Sequence, residues 1–492
     1  MSPSPACPAS KLLLERARGE ATLRAMNSPR RAALDRRQFL AAAPLATLAA
    51  CASSSKTPRE EPRATPREAP KARNLLVLLA DDLSGIDLGC YGSRNARTPS
   101  LDALAARGTT FDWAYTAVGV CQPSRSSLYT GLYPTGHGAL GFGPISAGVA
   151  TWPQLLNEAG VATAMIGKLD VDPLEQFPFE HLVKARDMSS RRASEVWRRE
   201  FATFLERAGE RRFAAVLALV DPHRPFEEEA PPKPVTDPEG VVVPPFLWDT
   251  PGARVELARY YDCIARLDRT VGEVLEALRA AGREDDTLVV FTSDNGAAFP
   301  FAKATLYEPG VRMPLVVAGP GVRAGVRSSA FVSQLDLLPT ALALFDAAPH
   351  ACDGAALQPL LRGEDAAARD EFVSMQTENN RESSTPARAL HTRRFKYIRN
   401  FSPETAVVSN IVNHTLTWES GAEAAASDER IKARMQAYLY RPAEELYDLE
   451  RDPHELHNLA AASEHSERLA SMRARLREWM ERRKDPALAD WV

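Results

Sequence analysis

Apolar positions in this chain come in short unbroken runs, separated by longer stretches with helical spacing. Asn74-Leu75-Leu76-Val77-Leu78-Leu79 is one such run, of strand length, and it ends at Asp81-Asp82. Continuous runs of this kind suit strands buried on both faces of a parallel sheet. The pattern recurs at Val161–Ile166, which leads into Lys168 and Asp170, and at Phe213–Val220, which leads into Asp221-Pro222-His223. It recurs again at Thr287–Phe291, ahead of Ser293-Asp294-Asn295-Gly296, and at Pro314–Ala318. Between the runs lie helical patterns. Thr98–Arg107 carries an early Pro99 and is followed by Gly108. A long helix is predicted from about Ala253 to Ala281, with Leu257, Tyr261, Ile264, Leu267, Val271, Leu275 and Leu278 on one stripe. Leu335–Phe345 is nearly all apolar and reads as a buried helix.

Strands alternating with helices predict an α/β fold around a mostly parallel sheet. Ligands of such folds sit beyond the carboxyl ends of the strands. Four strands here place Asp81, Asp82, Lys168, His223, Asp294 and Asn295 on that one edge. After residue 370 the texture changes. Arg394–Arg399 alternates as a half-buried antiparallel strand does, Glu445–Leu449 leads into a turn, and Arg468–Arg483 is a charged amphipathic helix. The expected division is a main domain over 73–370 and a smaller α+β subdomain, carrying an antiparallel sheet, over 371–492.

The first 72 residues have other patterns. Arg36-Arg37 precedes a weakly apolar run from Ala41 to Ala50, which is too short to span a bilayer. A twin Arg before such a run reads as a Tat export signal. The run ends Leu48-Ala49-Ala50-Cys51, which resembles a bacterial lipobox with Cys51 as the lipidated residue. Met26 is the expected start of this signal. Residues 52–72, rich in Ser, Pro, Arg and Glu, read as a tether. The mature chain is therefore expected outside the cytoplasm, periplasmic or lipid-anchored at a bacterial envelope.

Composition changes little in this picture. The chain has 492 residues, of which 45% are hydrophobic and 25% charged, as in ordinary soluble domains. A formal charge of -4 gives no sign of a nucleic-acid partner, though a local basic pocket for an anionic substrate would vanish in that sum. The six Cys include no CxxC pair, so no zinc ribbon or dithiol redox site is expected. Pairing among Cys90, Cys263 and Cys352 stays open.

The candidate chemistry gathers at Cys121-Gln122-Pro123-Ser124-Arg125. Pro123 suits the first turn of a helix and Gly131 its stop, which puts Cys121 at a helix N-terminus. Taken alone, Cys121 reads first as a buried structural thiol, since free Cys is among the most buried residue types. The strand-end residues alter that weighting. Asp81, Asp82, Asp294 and Asn295 offer only oxygen ligands, which select Ca²⁺ or Mg²⁺ over zinc; Ca²⁺ leads, because its ligands come from several loops. Arg125, Lys168, His223 and Lys303 add positive charge or proton donors. A metal among cations suits a tetrahedral anion such as sulfate, phosphate or phosphonate. A tyrosine-phosphatase loop is excluded, because Arg follows Cys121 by four residues rather than six.

Together, Cys121–Arg125, Leu79-Ala80-Asp81-Asp82, Thr292–Gly296 and Thr305–Pro314 resemble the motifs of formylglycine-dependent (type I) sulfatases of the alkaline phosphatase superfamily. Within that family, Asp221-Pro222-His223-Arg224, Val243–Leu247, Asp249–Arg254 and Phe299-Pro300 are most similar to the heparan N-sulfatases. The segments Arg393–Tyr397, Glu445–Asp448 and Arg451–Glu455 extend the likeness. The resemblance implies an alkaline-phosphatase-like fold, with Cys121 oxidised by a maturation enzyme to formylglycine as nucleophile. It implies Ca²⁺ held by Asp81, Asp82, Asp294, Asn295 and the residue at 121. It also implies that Arg125, Lys168 and Lys303 hold the sulfuryl group or orient the nucleophile, with His223 as proton donor. The expected substrate is N-sulfoglucosamine in heparan-type glycosaminoglycans. An O-sulfated sugar, a phosphonate or phosphate monoester, and a catalytically inactive glycan-binding lipoprotein are the competing readings. Two departures stand out. Asp170 occupies the place of a family His, and Lys303 stands where the N-sulfatases carry Arg. The expected partners are the sulfated sugar, the maturation enzyme, the Tat machinery, a lipid anchor and a second copy of the chain.

Overall fold

The apolar runs become the centre of a twisted sheet. The computed structural model describes residues 71–227, 231, 233–364, 369–379, 383–409 and 411–491. The Tat-like signal, Met26, Cys51 and the tether up to residue 70 lie outside the described residues.

Eight strands form the first sheet: β1 Asn74–Ala80, β2 Gly108–Tyr115, β3 Ala162–Gly167, β4 His181–Lys184, β5 Phe213–Ala218, β6 Thr287–Ser293, β7 Leu315–Ala318 and β8 Val326–Ser333. Their order is β4-β3-β5-β1-β6-β7-β2-β8. β1 lies at the centre, parallel to β5 and β6, with Leu76 opposite Ala215 on one side and Val289 on the other. Every residue of β1, β3, β5 and β6 is buried, as expected of strands with helices over both faces. Of the eight, β7 alone runs antiparallel to its neighbours.

The sequence pattern did not reveal β2, β4 and β8. β2 reads Gly-Thr-Thr-Phe-Asp-Trp-Ala-Tyr, with polar side chains inside a strand. β4 has only four residues, and β8 alternates in exposure over its first half as an outer strand does. Non-local pairing, which periodicity does not report, forms all three.

The long predicted helix runs Pro251–Ala280. Thr250 caps it by accepting from the Ala253 N–H, and Pro251 starts it where a missing N–H costs nothing. All seven stripe residues are buried. The expected Leu335–Phe345 helix is a single turn, Gln334–Asp336, leading into Leu337–Leu344.

A second sheet, wholly antiparallel, has the order β12-β11-β10-β9, formed by β9 Glu371–Asn379, β10 Ser383–Thr392, β11 Phe395–Asn400 and β12 Glu444–Asp448. It packs against the loop that precedes Cys121. The Met375 N–H donates to the Ala117 carbonyl at 2.7 Å, and Ser374 Oγ donates to the Thr116 carbonyl at 2.9 Å. Tyr115 stacks between Phe331 and Phe372, so one apolar cluster continues across both sheets. The strand ends and the Cys121 loop are thereby fixed from two sides.

Candidate active site

Val120 is extended, and the helix Cys121–Thr130 starts immediately after it. Pro123 occupies the first turn, where backbone N–H groups lack partners in any case. Gly131 ends the helix in the left-handed region at φ 65, where its N–H caps the Ser127 carbonyl. The helix is buried along its whole length, although its sequence is mostly polar. That polarity is consumed by the site around it.

Cys121 Sγ lies 3.7 Å from Asp81 Oδ1, 3.8 Å from Asp82 Oδ1 and 3.0 Å from Lys303 Nζ. Lys303 Nζ also pairs with Asp82 Oδ1. Lys168 Nζ is 2.7 Å from Asp81 Oδ2, and Arg125 Nε and Nη2 both reach Asp294 Oδ2 at 2.8 Å. His223 Nε2 stands 3.8 Å from Asp82 Oδ2. Asn295 Nδ2 donates to Asp82 Oδ1 at 2.8 Å. The structure thus brings together ten of the residues chosen from sequence, with Asp170 at the margin. The Asp170 carboxylate is 3.7 Å from Lys168 Nζ, and its backbone is left-handed at φ 47. Cys90, Cys263 and Cys352 are free thiols.

Electrostatics divides these groups. Burial alone would raise the pKa of Asp81, but Lys168, His223, Arg125 and Lys303 outweigh it and hold the carboxyl below the usual range. Burial also opposes ionisation of Asp82, and there Lys303 and His223 prevail. Asp294 goes the other way: burial and the neighbouring Asp81 charge raise it to about 7, despite Arg125. Burial pushes the Cys121 thiol up to about 12 against the pull of Lys168 and Lys303. A thiol held protonated in this way is a poor nucleophile at neutral pH. Burial lowers His223 despite Asp81 and Asp82. Its Nδ1–H is committed to the Arg224 carbonyl, which leaves Nε2 as the nitrogen facing the acids.

The donor set fits a divalent cation. Asp82 Oδ2 and Asn295 Oδ1 are buried with no hydrogen-bond partner, which is costly for polar oxygens unless a cation completes them. Asp81, Asp82, Cys121 and His223 each bring one ligand atom to within 4.8 Å of the others. Three carboxylates and an amide suit a hard cation that takes oxygen ligands.

Sequence reasoning missed the residues that aim these groups. Gln334 Nε2 donates to the Ser293 and Asp294 carbonyls, while its Oε1 accepts from Ser124 Oγ at 3.0 Å. Ser124 Oγ also touches the Asp294 carbonyl. One amide therefore ties the Asp294 loop to the Cys121 helix. Gly296 closes the same loop: a Cβ there would stand 1.8 Å from the Pro309 carbonyl oxygen. Arg192 pairs with Asp221 and donates to the His223 carbonyl at 2.9 Å, with Arg266 on the other side of Asp221. Nothing in spacing or periodicity marks Gln334 or Arg192. Only the folded register places them.

A family model described as Sulfatase matches residues 73–347. The chain belongs to the sulfatase family. A second model, described as N-sulphoglucosamine sulphohydrolase, C-terminal, matches residues 296–408 of this sulfatase. Human N-sulphoglucosamine sulphohydrolase is 34% identical over 470 residues, covering 86% of this chain and 92% of the human one. An ulvan-active sulfatase of Formosa agariphila is 29% identical, covering 79% of this chain and 76% of its own. Among solved structures, a protein in complex with its substrate D-glucosamine-2-N,6-O-disulfate superposes with a TM-score of 0.65 at 20% identity, over 85% of this chain and 99% of that one. The phosphonate monoester hydrolase of Agrobacterium radiobacter superposes at 0.64, also at 20% identity, over 85% of this chain and 97% of its own. These two likenesses establish the shared alkaline phosphatase fold. The sulfatase is accordingly a hydrolase of sulfuric esters or sulfamates, with an acidic cluster able to hold a metal ion.

Gln334→Leu removes the side-chain donor to the Ser293 carbonyl and takes one partner each from the Ser124 hydroxyl and the Asp294 carbonyl, which keep each other. It should lower stability by about 1–3 kcal/mol, read from the denaturant midpoint. An unchanged midpoint would show that the clamp contributes nothing.

Proposed function

We propose that this sulfatase hydrolyses the N-sulfate of N-sulfoglucosamine in heparan-type glycans, using a formylglycine made from Cys121 by a maturation enzyme, together with Ca²⁺. The observation that carries this reading is the match along nearly the whole human N-sulphoglucosamine sulphohydrolase, including a C-terminal segment recognised by its own family model.

Asp81, Asp82, Asp294, Asn295 and the side chain at 121 would hold the ion, which when bound neutralises the acids and lowers the pKa of the nucleophilic hydroxyl. Oxidation of Cys121 would replace a thiol too buried to ionise with a hydrated aldehyde, one hydroxyl of which serves as nucleophile toward sulfur. Lys303 Nζ, already 3.0 Å from Sγ, orients that position. Arg125 is fully buried and committed to Asp294, so it aims the acids rather than meeting substrate. Lys168 is 23% exposed and is the cation placed to receive sulfuryl oxygens. Asp170 holds Lys168 from the outer side. His223, also partly exposed, keeps Nδ1–H on the Arg224 carbonyl, so it takes up a second proton at Nε2 before passing that proton to the departing nitrogen. As the hydroxyl oxygen bonds to sulfur the S–N bond breaks and the amine leaves protonated; the second hydroxyl then loses its proton, the C–O bond to the sulfated oxygen breaks, sulfate leaves with that oxygen, and water adds to the restored aldehyde.

The N-terminal segment extends this proposal to export by the Tat route, with Cys51 as the lipid-bearing residue at a bacterial envelope. Cys51→Ala should move the protein from the membrane fraction to the soluble one in its native host, and an unchanged partition would remove the anchor.

The substrate is tested by sulfate release from N-sulfoglucosamine, matched O-sulfated sugars and an aryl phosphonate. The N-sulfate should show the highest kcat/KM. Turnover of O-sulfates only would contradict the assignment. In the same assay His223→Ala should cost about 10²–10⁴-fold on the N-sulfate and far less on an aryl sulfate whose leaving group needs no proton. Equal losses on both would remove His223 as the proton donor.

A further inference from the structure

Behind His223 lies a buried ion pair that the chemistry above does not use. Arg224 meets Glu256, from the helix Pro251–Ala280, with both arms of its fork: Nη1 to Oε1 at 2.5 Å and Nη2 to Oε2 at 3.1 Å. Its Nε donates to the Ala298 carbonyl at 3.2 Å. Its Cζ stands over the rings of Phe226 and Phe299, 4.2 and 5.3 Å from their centroids. Every nitrogen of this guanidinium thus has an acceptor, and its flat faces have aromatic cover. Glu256 is only 3% exposed, and its Oε2 also accepts from the Thr417 N–H at 2.9 Å, in the first turn of the helix Leu416–Ala424. Burial alone would raise the pKa of Glu256, but Arg224 and Thr417 outweigh it and keep the carboxylate ionised.

The backbone of Arg224 serves the site directly. Its carbonyl takes His223 Nδ1–H, and that bond decides which imidazole nitrogen faces the acids. The other nitrogen, Nε2, stands 3.8 Å from Asp82 Oδ2, too far for a hydrogen bond, so the Nδ1 bond is what aims the ring. A carbonyl can aim a ring only if its own residue is fixed. Arg192 Nη2 ties down the carbonyls on either side, that of His223 at 2.9 Å and that of Pro225 at 3.2 Å. The residue between them is held by its own side chain, through Glu256.

We propose that Glu256 is a positioning residue for proton transfer: by clamping Arg224 it fixes the carbonyl that receives Nδ1–H, and so sets the tautomer and aim of His223. The inference rests on the reading of His223 as the proton donor. Without the carboxylate, Arg224 becomes an unpaired cation in a largely buried place and must turn toward water, which takes its carbonyl out of line.

Leaving-group dependence separates this role from a merely structural one. Glu256→Gln should lower kcat/KM for the N-sulfate by about 10–10²-fold, and by far less for an aryl sulfate whose leaving group needs no proton. Added to His223→Ala, it should cost nothing further on the N-sulfate, because the two residues act as one unit. Equal losses on both substrates, no loss, or a full additional loss in the double variant would overturn the proposal. A selective loss in His223→Ala without one in Glu256→Gln removes the role of Glu256 alone. Equal losses in His223→Ala remove the proton donor and this role with it. In the unaltered enzyme, labelled with ¹⁵N-histidine, neutral His223 should carry its proton on Nδ1. A proton on Nε2 would overturn the proposal even if neither variant folds.

Discussion

The structure depends on keeping three carboxylates and three cations buried around one helix start. Asp81, Asp82 and Asp294 are fully buried, as are Arg125 and Lys303, and Lys168 closes the mouth. Each ion would be expensive to bury alone. Together they offset one another through short contacts: Lys168 with Asp81, Lys303 with Asp82, and Arg125 with Asp294. Removing one partner of such a set typically costs about 3–5 kcal/mol, because the other is left as an uncompensated buried charge. The balance is incomplete on the acidic side. Asp294 is pushed up to about 7, and Asp82 Oδ2 and Asn295 Oδ1 stay without donors. A divalent cation would supply what is missing.

Such a cluster holds only if its loops cannot drift. Parallel strands deliver the residues to one edge, but strand ends alone leave side chains free to turn. The aim comes from a layer behind them. Gln334 and Ser124 stitch the Asp294 loop to the Cys121 helix, Gly296 lets that loop press on Pro309, and Arg192 holds the turn that carries His223. The second sheet reinforces the same region. Lys396 reaches across to Glu308 at 3.1 Å, beside the backbone that meets Gly296. The C-terminal sheet is thus part of how the site is built.

Much of this was legible along the chain. Runs such as Leu75–Leu79 are apolar for a reason that acts locally in sequence, so their strand character and the acids after them could be read directly. The Cys121 motif carries its own helix start in Pro123 and its stop in Gly131. What could not be read depends on register and rotamer. β2 and β8 hide polar residues that pair only after the chain has returned over hundreds of positions, as Thr110 does with Arg327 and Val316. Gln334 lies just ahead of a nearly all-apolar segment with nothing in its spacing to mark it, and its three bonds exist only once β6 and the Cys121 helix converge. Asp170 was legible as a departure from the family pattern, and its partner, Lys168, emerged only with the folded loop.

Whether Cys121 is the precursor of a nucleophile can be read from one peptide. Mass spectrometry of the tryptic fragment that contains it, from protein purified out of the native host, should find the aldehyde and its hydrate in place of the thiol. An unmodified thiol throughout a preparation that releases sulfate would contradict this reading.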